Sequence, residues 1–452
     1  MHYLIQGATA VFGHAESVTD IRIANGIITE VGTGLSLQPG EQVLNAVDCV
    51  VYPGFVNTHH HLAQSVLKAV PEGMNQGLAD WLMNVPYRFW PHIDPDLMYA
   101  SALLGFYELL RSGTSTCADH HYLYHQDTPV ELEDALWQAA RDIGIRFTLC
   151  RGGATITGSH KGMQKAKLNP ESLEQMLARL ERSVSRYHQD NAQAMQRVIV
   201  APTSLIHGAA PDHLIELARF ARANKLRLHS HLLEVGFDEQ QAQLKYGKSA
   251  VAYAESVEWL GPDVYFAHLV QATSDDIEQL AKTGTGISHC PTSNCRLGSG
   301  IAALIAMQNA GMPISVGVDG SASSENASML QELNLAWLIH RSQHGPDATQ
   351  VEQVISWGTR GGAEILGLNN VGEISVGMAA DLTLFDISGL RYAGIHSALH
   401  APLMAGEPAH VKYGIIDGKL RTHQGEVIGL DESQLKESII KGLHRLKQKI
   451  TD

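Results

Sequence analysis

Eight short apolar runs recur between residues 53 and 368, each closing on a polar tip: GFVNTHHH, STCADHHY, RFTLCRGG, RVIVAPTS, RLHSHLLE, VYFAHLV, TGISHCP and PISVGVDGS. Runs this short, bounded by Gly, Pro and polar residues, have the texture of buried strands rather than helices. Between them lie stretches such as LMYASALLGFYELLRSG, HLIELARFARANK and IEQLAKTG, whose apolar spacing is helical and which stop at Gly or Lys. Eight strands alternating with helices predict an α/β fold, a (β/α)₈ TIM barrel. An open flavodoxin-like sheet is the alternative, but it has no need of eight units. A barrel of this kind carries its chemistry at the C-terminal tips of its strands, which is where His and Asp concentrate here.

The two ends of the chain differ from the middle and resemble each other. Residues 1–52 alternate β-rich runs (YLIQGATAVF, DIRIANGIITEVG, CVVYP) with turns, and Asn25-Gly26 is a strong hairpin signal. The same texture returns over 369–430 in GEISVGMAADLTLFDI and VKYGIIDGKLRTHQGEVI, with Asp417-Gly418 as a second hairpin. Together these segments predict one discontinuous small β-sandwich built from both termini, enclosing a barrel over 53–368. A final amphipathic stretch, 431–452, is expected to form a helix on the outside.

With 452 residues, 44% hydrophobic and 18% charged, the chain can bury a large core. A net charge of -14 without a basic stripe argues against nucleic acid as a partner. Five scattered cysteines, an odd number, suit a reducing compartment, and Cys290 and Cys295 are expected to be packing residues. The start, MHYLIQGATAVFG, lacks the basic and apolar regions of a signal peptide, and no apolar run is long enough to span a bilayer. A cytoplasmic protein is the expectation, with no membrane partner. An assembly of identical chains is compatible with the sequence, dimers being the commonest arrangement.

The stretch PGFVNTHHHLAQ concentrates the chemistry. On a strand, alternate side chains share a face, so His59 and His61 can point at one centre while His60 points away. The fifth run adds His231 and Glu234, the sixth His268 and the eighth Asp319. His59, His61, His231 and Asp319 make a plausible site for zinc or ferrous iron, which would lower the pKa of a bound water. His229, two residues before His231, is an equal candidate on spacing alone. Glu234 is free to move protons, and His268 to hydrogen-bond the nucleophile. A lone Asp-Gly is usually only a turn, and a lone His a core residue. Their coincidence on one rim favours the functional reading.

PGFVNTHHHL, HSHLLE, AHLV, SHCPTSNCRL, GVDGS and VGEISVGMAADLTLFD resemble the amidohydrolase superfamily, in its cytosine/guanine-deaminase-like branch. The resemblance covers nearly the whole chain, with the motifs in the family's order. It implies one divalent metal per chain, zinc or alternatively iron, held by His59, His61, His231 and Asp319. It takes His231 over His229 because the family pattern is H-x-x-E, and it makes Glu234 the proton carrier and His268 its companion. The fourth run ends in Thr203-Ser204, where two-metal relatives place a bridging Lys or Glu, so a single metal is implied. VPYRF, ADHHYLY and RGGAT further resemble isoxanthopterin deaminases, and ADHHYL and CRLGSGI are similar to 8-oxoguanine deaminases. The implied activity is hydrolytic deamination of a 2-amino-4-oxo bicyclic heterocycle by water, isoxanthopterin or pterin first, 8-oxoguanine or guanine next. Gln64 would read the ring lactam, Trp81 cover the ring face, and Arg88 or Arg151 meet the distal oxo group. The loop GSASSENAS after Asp319 departs from the family pattern. Two other readings are a triazine chloro- or alkylamino-hydrolase on the same centre, and a non-catalytic scaffold, which would predict eroded ligands.

Overall fold

A computed structural model describes residues 1–159 and 161–451. All eight predicted strands form, as β1 (Phe55–His60), β2 (Thr114–His121), β3 (Arg146–Arg151), β4 (Gln196–Val200), β5 (Leu228–Leu232), β6 (Val264–His268), β7 (Gly286–His289) and β8 (Ile314–Val316). They lie side by side in chain order and pair in parallel. The circle closes at the rim, where Asp319 N–H donates to the His59 carbonyl at 3.0 Å and His60 bridges Asp319. The fold is therefore a (β/α)₈ barrel, and its seam joins the first and last motifs of the chain. Inside the barrel, Thr58 Oγ lies 2.7 Å from both Ser288 Oγ and Ser315 Oγ, and Asn57 Oδ1 accepts from Val318 N–H at 3.0 Å. These small polar side chains satisfy one another, so the floor beneath the strand tips is packed and hydrogen-bonded.

The terminal segments form two further sheets. One orders Ile27–Gly32, Asp20–Ala24, His2–Gln6 and Gln42–Asn45; the other carries Glu426–Val427, Lys419–His423, Val411–Ile416, Leu382–Asp386, Cys49–Pro53 and Ala10–Val11. The second sheet thus interleaves strands from both ends of the chain. Ile5, Ile21, Ile23 and Leu44 pack against Val51, Leu382, Leu384 and Ile415 between the sheets. Both hairpins turn where expected. Asn25 and Gly26 have φ of 52° and 84°, and Asp417 and Gly418 51° and 65°, the pair of positive values a tight two-residue hairpin requires. The helix Glu432–Thr451 packs on the helix Pro95–Arg111, where Arg445 meets Asp94 through two bonds of 3.0 and 3.1 Å. All five cysteines are free; Cys290 is buried as expected, whereas Cys295 is exposed and does no packing work. No described helix is long and apolar enough to cross a membrane.

Barrel and sandwich meet through a buried ion pair. Arg146, at the start of β3, places Nε and Nη2 2.9 and 3.0 Å from the two oxygens of Asp381, which also accepts from Asp417 N–H at 2.8 Å. Removing only the cation strands a carboxylate away from water. We therefore expect Arg146→Met to lower unfolding stability by about 3–5 kcal/mol. Denaturant titration checks this, and a loss under ~1 kcal/mol would mean that the joint carries no such burden.

Candidate active site

Three imidazoles converge at the rim with their protons committed elsewhere. His61 Nδ1 lies 2.7 Å from the His120 carbonyl, and His231 Nδ1 2.8 Å from the Thr203 carbonyl. A carbonyl can only accept, so both Nδ1 atoms carry hydrogen and both Nε2 atoms present lone pairs. For His59 the partner is another imidazole. His229 Nδ1 bonds the Tyr265 carbonyl at 3.1 Å, leaving its Nε2 to accept from His59 Nδ1 at 2.8 Å. His59 Nε2 is left buried and without a partner. The structure thus places His229 behind His59 as its orienting partner.

The free lone pairs face one another. His61 Nε2 and His231 Nε2 are 3.3 Å apart, and Asp319 Oδ1 lies 3.1 Å from His61 Nε2 and 3.6 Å from His59 Nε2. Two nitrogens bound to one tetrahedral ion at about 2.0–2.1 Å would stand roughly 3.3–3.4 Å apart. Burial pulls His59 and His231 well below the usual histidine range, and the neighbouring imidazoles add to it. Burial by itself would raise Asp319, but the facing edges of His61 and His268 outweigh it and hold the carboxyl down. Unprotonated imidazoles aimed at a carboxylate fit a divalent cation. His60 points away, its ring buried and pushed down to about 4 by that burial.

Glu234 and His268 flank this centre, with Glu234 Oε2 3.5 Å from His268 Nε2 and Asp319 Oδ2 4.0 Å from the same nitrogen. Asn294 Nδ2 donates to His268 Nδ1 at 3.0 Å, which leaves the imidazole proton on Nε2, facing the two carboxylates. Burial raises Glu234 well above the usual carboxylate range, and the charges of Asp319 and Asp238 raise it further. The backbone is left-handed at Leu233 (φ 55°), His268 (76°), Leu269 (47°) and Asp319 (57°), conformations that non-glycine residues adopt at a cost.

A cavity of ≈ 80 Å³ opens above these groups and is lined by Gln64, Trp81, Tyr87, Tyr122, Thr203, His207 and Asp238 as well as His61, His231, Glu234, His268 and Asp319. Gln64 Nε2 donates to the Tyr122 hydroxyl at 3.2 Å, and its Oε1 is buried with no partner. Trp81 Nε1 donates to the Ala322 carbonyl at 3.2 Å, with the indole at the cavity wall. The two arginines are elsewhere, and the expectation for them is corrected. Arg88 lies on the surface, paired with Glu72 at 2.8 Å. Arg151 is fully buried, its Nη1 and Nη2 each 2.6 Å from Glu171 and its guanidinium 3.9 Å above the Tyr124 ring. Each already has its counter-charge, and neither lines the cavity.

Sequence reasoning passed over several residues the structure brings here. His120 stacks on His231 at 4.5 Å and groups with His59, His61 and His231. Its signal was visible in ADHHYLY, a second histidine pair at a strand tip. Tyr122, two residues on, shares its face. His207 stands on a loop and Asp238 in the first turn of the helix Gly236–Tyr246, where spacing alone carries no information.

A model of the amidohydrolase family matches residues 50–421, and the chain belongs to that family. It is an enzyme of the family's hydrolytic, C–N-cleaving deaminase class. It is similar to an isoxanthopterin deaminase from an unknown prokaryotic organism, 41% identical over 92% of this chain and 89% of the relative. It is likewise similar to the 8-oxoguanine deaminase of Pseudomonas aeruginosa, 35% identical over 91% of this chain and 92% of the relative. Among solved structures, the atrazine chlorohydrolase of Arthrobacter aurescens TC1 complexed with zinc superposes with a TM-score of 0.90 at 25% identity, covering 98% of this chain and all of that one.

The donor set makes its own prediction. Wild-type protein should carry about one divalent ion per chain, and His61→Ala or Asp319→Asn should lose most of it, because the remaining donors hold an ion poorly. Elemental analysis of the purified proteins decides this; two ions per active chain would contradict a single centre.

Proposed function

We propose that this protein hydrolytically deaminates a 2-amino-4-oxo bicyclic heterocycle, isoxanthopterin or pterin before 8-oxoguanine or guanine, using one divalent ion, zinc before iron. His59, His61, His231 and Asp319 are its ligands. The observation that carries this reading is the arrangement of Glu234 and His268 against converging imidazole lone pairs, at the wall of a cavity that also holds Gln64. Overall similarity to an isoxanthopterin deaminase supports the substrate class.

A bound ion there supplies an activated water at neutral pH. The chain's own residues do the rest. Glu234, whose burial raises its affinity for a proton, takes one proton from the attacking water as a carboxylate and passes it to the ring nitrogen, then takes the second from the new hydroxyl and passes it to the departing amine. His268, with its proton held on Nε2 by Asn294, donates toward the nucleophile and keeps it aligned. Asp319 remains a carboxylate throughout. Gln64 offers an amide edge with one open acceptor, Oε1, which suits the N–H of a ring lactam. Trp81 gives the ring an apolar wall. Thr203 and Ser204 add hydroxyls to the cavity wall, which neither arginine reaches. The triazine alternative keeps the same centre but expels chloride, a leaving group with no need of the proton on Glu234.

Two predictions follow from this division of labour. Glu234→Gln should keep metal and fold while kcat drops by roughly 10²–10⁴-fold. Near wild-type turnover with full metal would refute the proton path, and chloride without ammonia in a panel of isoxanthopterin, pterin, 8-oxoguanine, guanine, isocytosine and a chlorotriazine would favour the alternative. Arg88→Met should leave the ratio of isoxanthopterin to pterin turnover within about 2-fold, as expected of a surface pair. A selective loss on isoxanthopterin would return Arg88 to the site.

A further inference from the structure

A hydrogen-bond chain of fixed polarity ends on the backbone of Glu234. Lys245 Nζ lies 2.7 Å from Ser159 Oγ and 3.2 Å from the Ile206 carbonyl. An ammonium group can only donate, so Ser159 accepts from it and turns its own proton to His207 Nδ1, 2.7 Å away. His207 therefore carries hydrogen on Nε2, which lies 2.8 Å from Asp238 Oδ1. The other oxygen, Asp238 Oδ2, accepts from Glu234 N–H at 3.3 Å. Every donor along this path is matched to an acceptor.

The chain runs through three segments, and those after β3 and β4 are also joined by Thr155 and Ile156 N–H donating to the Gly208 carbonyl at 2.7 and 3.2 Å. Ser159 follows β3, His207 follows β4, and Asp238 and Lys245 stand at opposite ends of the helix Gly236–Tyr246. Its middle is protected: His207 and Asp238 are buried, and the Phe237 ring stacks on His207 at 5.2 Å and 11°. Its end point is a place that needs holding. Leu233, just before Glu234, is left-handed at φ 55°, so the carboxylate hangs from a backbone turn that would relax if released.

We propose that His207 and Asp238 are positioning residues for the deamination, acting through the backbone of Glu234 to hold its carboxylate between His268 and the substrate. This rests on Glu234 being the proton carrier, as argued above. A chain that merely capped the helix would alter stability alone. A chain that aims Glu234 alters turnover, and only while residue 234 can carry a proton.

The test is a double-variant cycle on the metal-loaded enzyme, with kcat and KM for ammonia release from isoxanthopterin. His207→Ala should lower kcat about 10–100-fold, with KM within about 3-fold and metal retained. His207→Gln, whose amide offers a donor and an acceptor, should recover most of that loss. Added to Glu234→Gln, His207→Ala should cost less than about 2-fold more. A full additive loss in the double variant would overturn the proposal. Hydrogen–deuterium exchange over residues 232–238 gives a readout independent of turnover: exchange should quicken in His207→Ala, and unchanged exchange would also overturn it. Should wild-type enzyme turn over no member of the panel while exchange quickens as expected, the substrate reading fails and the positioning role stands.

Discussion

Buried lone pairs that face one another are the constraint on which the rest of this structure depends. Imidazole nitrogens 3.3 Å apart, both without hydrogen, repel unless a cation lies between them. Nothing in an isolated loop would hold them so. Here the opposite edge of each ring is anchored, His61 to the carbonyl of His120 on β2, His231 to that of Thr203 beyond β4, and His59 through His229 to that of Tyr265 on β6. The anchors come from different strands, so the orientation of each imidazole is secured only when the barrel is closed. That is the physical route from fold to chemistry: the sheet provides a ring of acceptors, and the acceptors decide which nitrogen stays free.

The two halves of the site are built differently. The three converging imidazoles sit at strand ends over a floor of interlocked hydroxyls. Glu234 and the residues around His268 hang from left-handed turns, each costing of order 1–3 kcal/mol. Such a cost persists only when the surroundings over-determine it. Asn294 fixes His268 from the side, and Asp238 fixes Glu234 from behind. Rigid ligands with separately braced proton carriers give a site whose metal affinity and proton path can be altered independently.

Much of this was legible before any coordinates. β-rich runs punctuated by turn and hairpin signals at the ends, and repeated apolar runs in the middle, foretold a terminal β-domain and a barrel. The histidines and Asp319 were legible because a strand tip has only one place to aim. Arg88 and Arg151 were misjudged for a general reason: a cation's partner is set by three-dimensional neighbours, and Glu171, twenty residues from Arg151, carries no sequence mark of the pairing. His207 and Asp238 escaped notice likewise, since their bond joins a loop to the first turn of a helix distant in sequence. His229 shows the opposite limit: spacing left it level with His231, the family resemblance favoured His231, and the direction of its hydrogen bonds sets His229 behind His59.

The loop after Asp319 is bound up with Gln64 through what it lacks. A Cβ on Gly320 would fall 1.9 Å from Gln64 Oε1, so the amide occupies space that any side chain there would take. Gly320 N–H in turn donates to Asp319 Oδ1 at 2.7 Å. One glycine therefore steadies a metal-facing carboxylate with its backbone and makes room for the amide at the cavity wall with its missing side chain. Gln64 in that position has its Nε2 committed to Tyr122 and its Oε1 buried against Gly320 with no partner. A heterocycle that offers a ring N–H to that acceptor satisfies the buried oxygen; one that offers only a lone pair leaves it unsatisfied and adds repulsion, at a cost of about 1–3 kcal/mol. On the proposed reading, discrimination between lactam-bearing rings and fully aromatic amines begins at a backbone position rather than at a charged side chain.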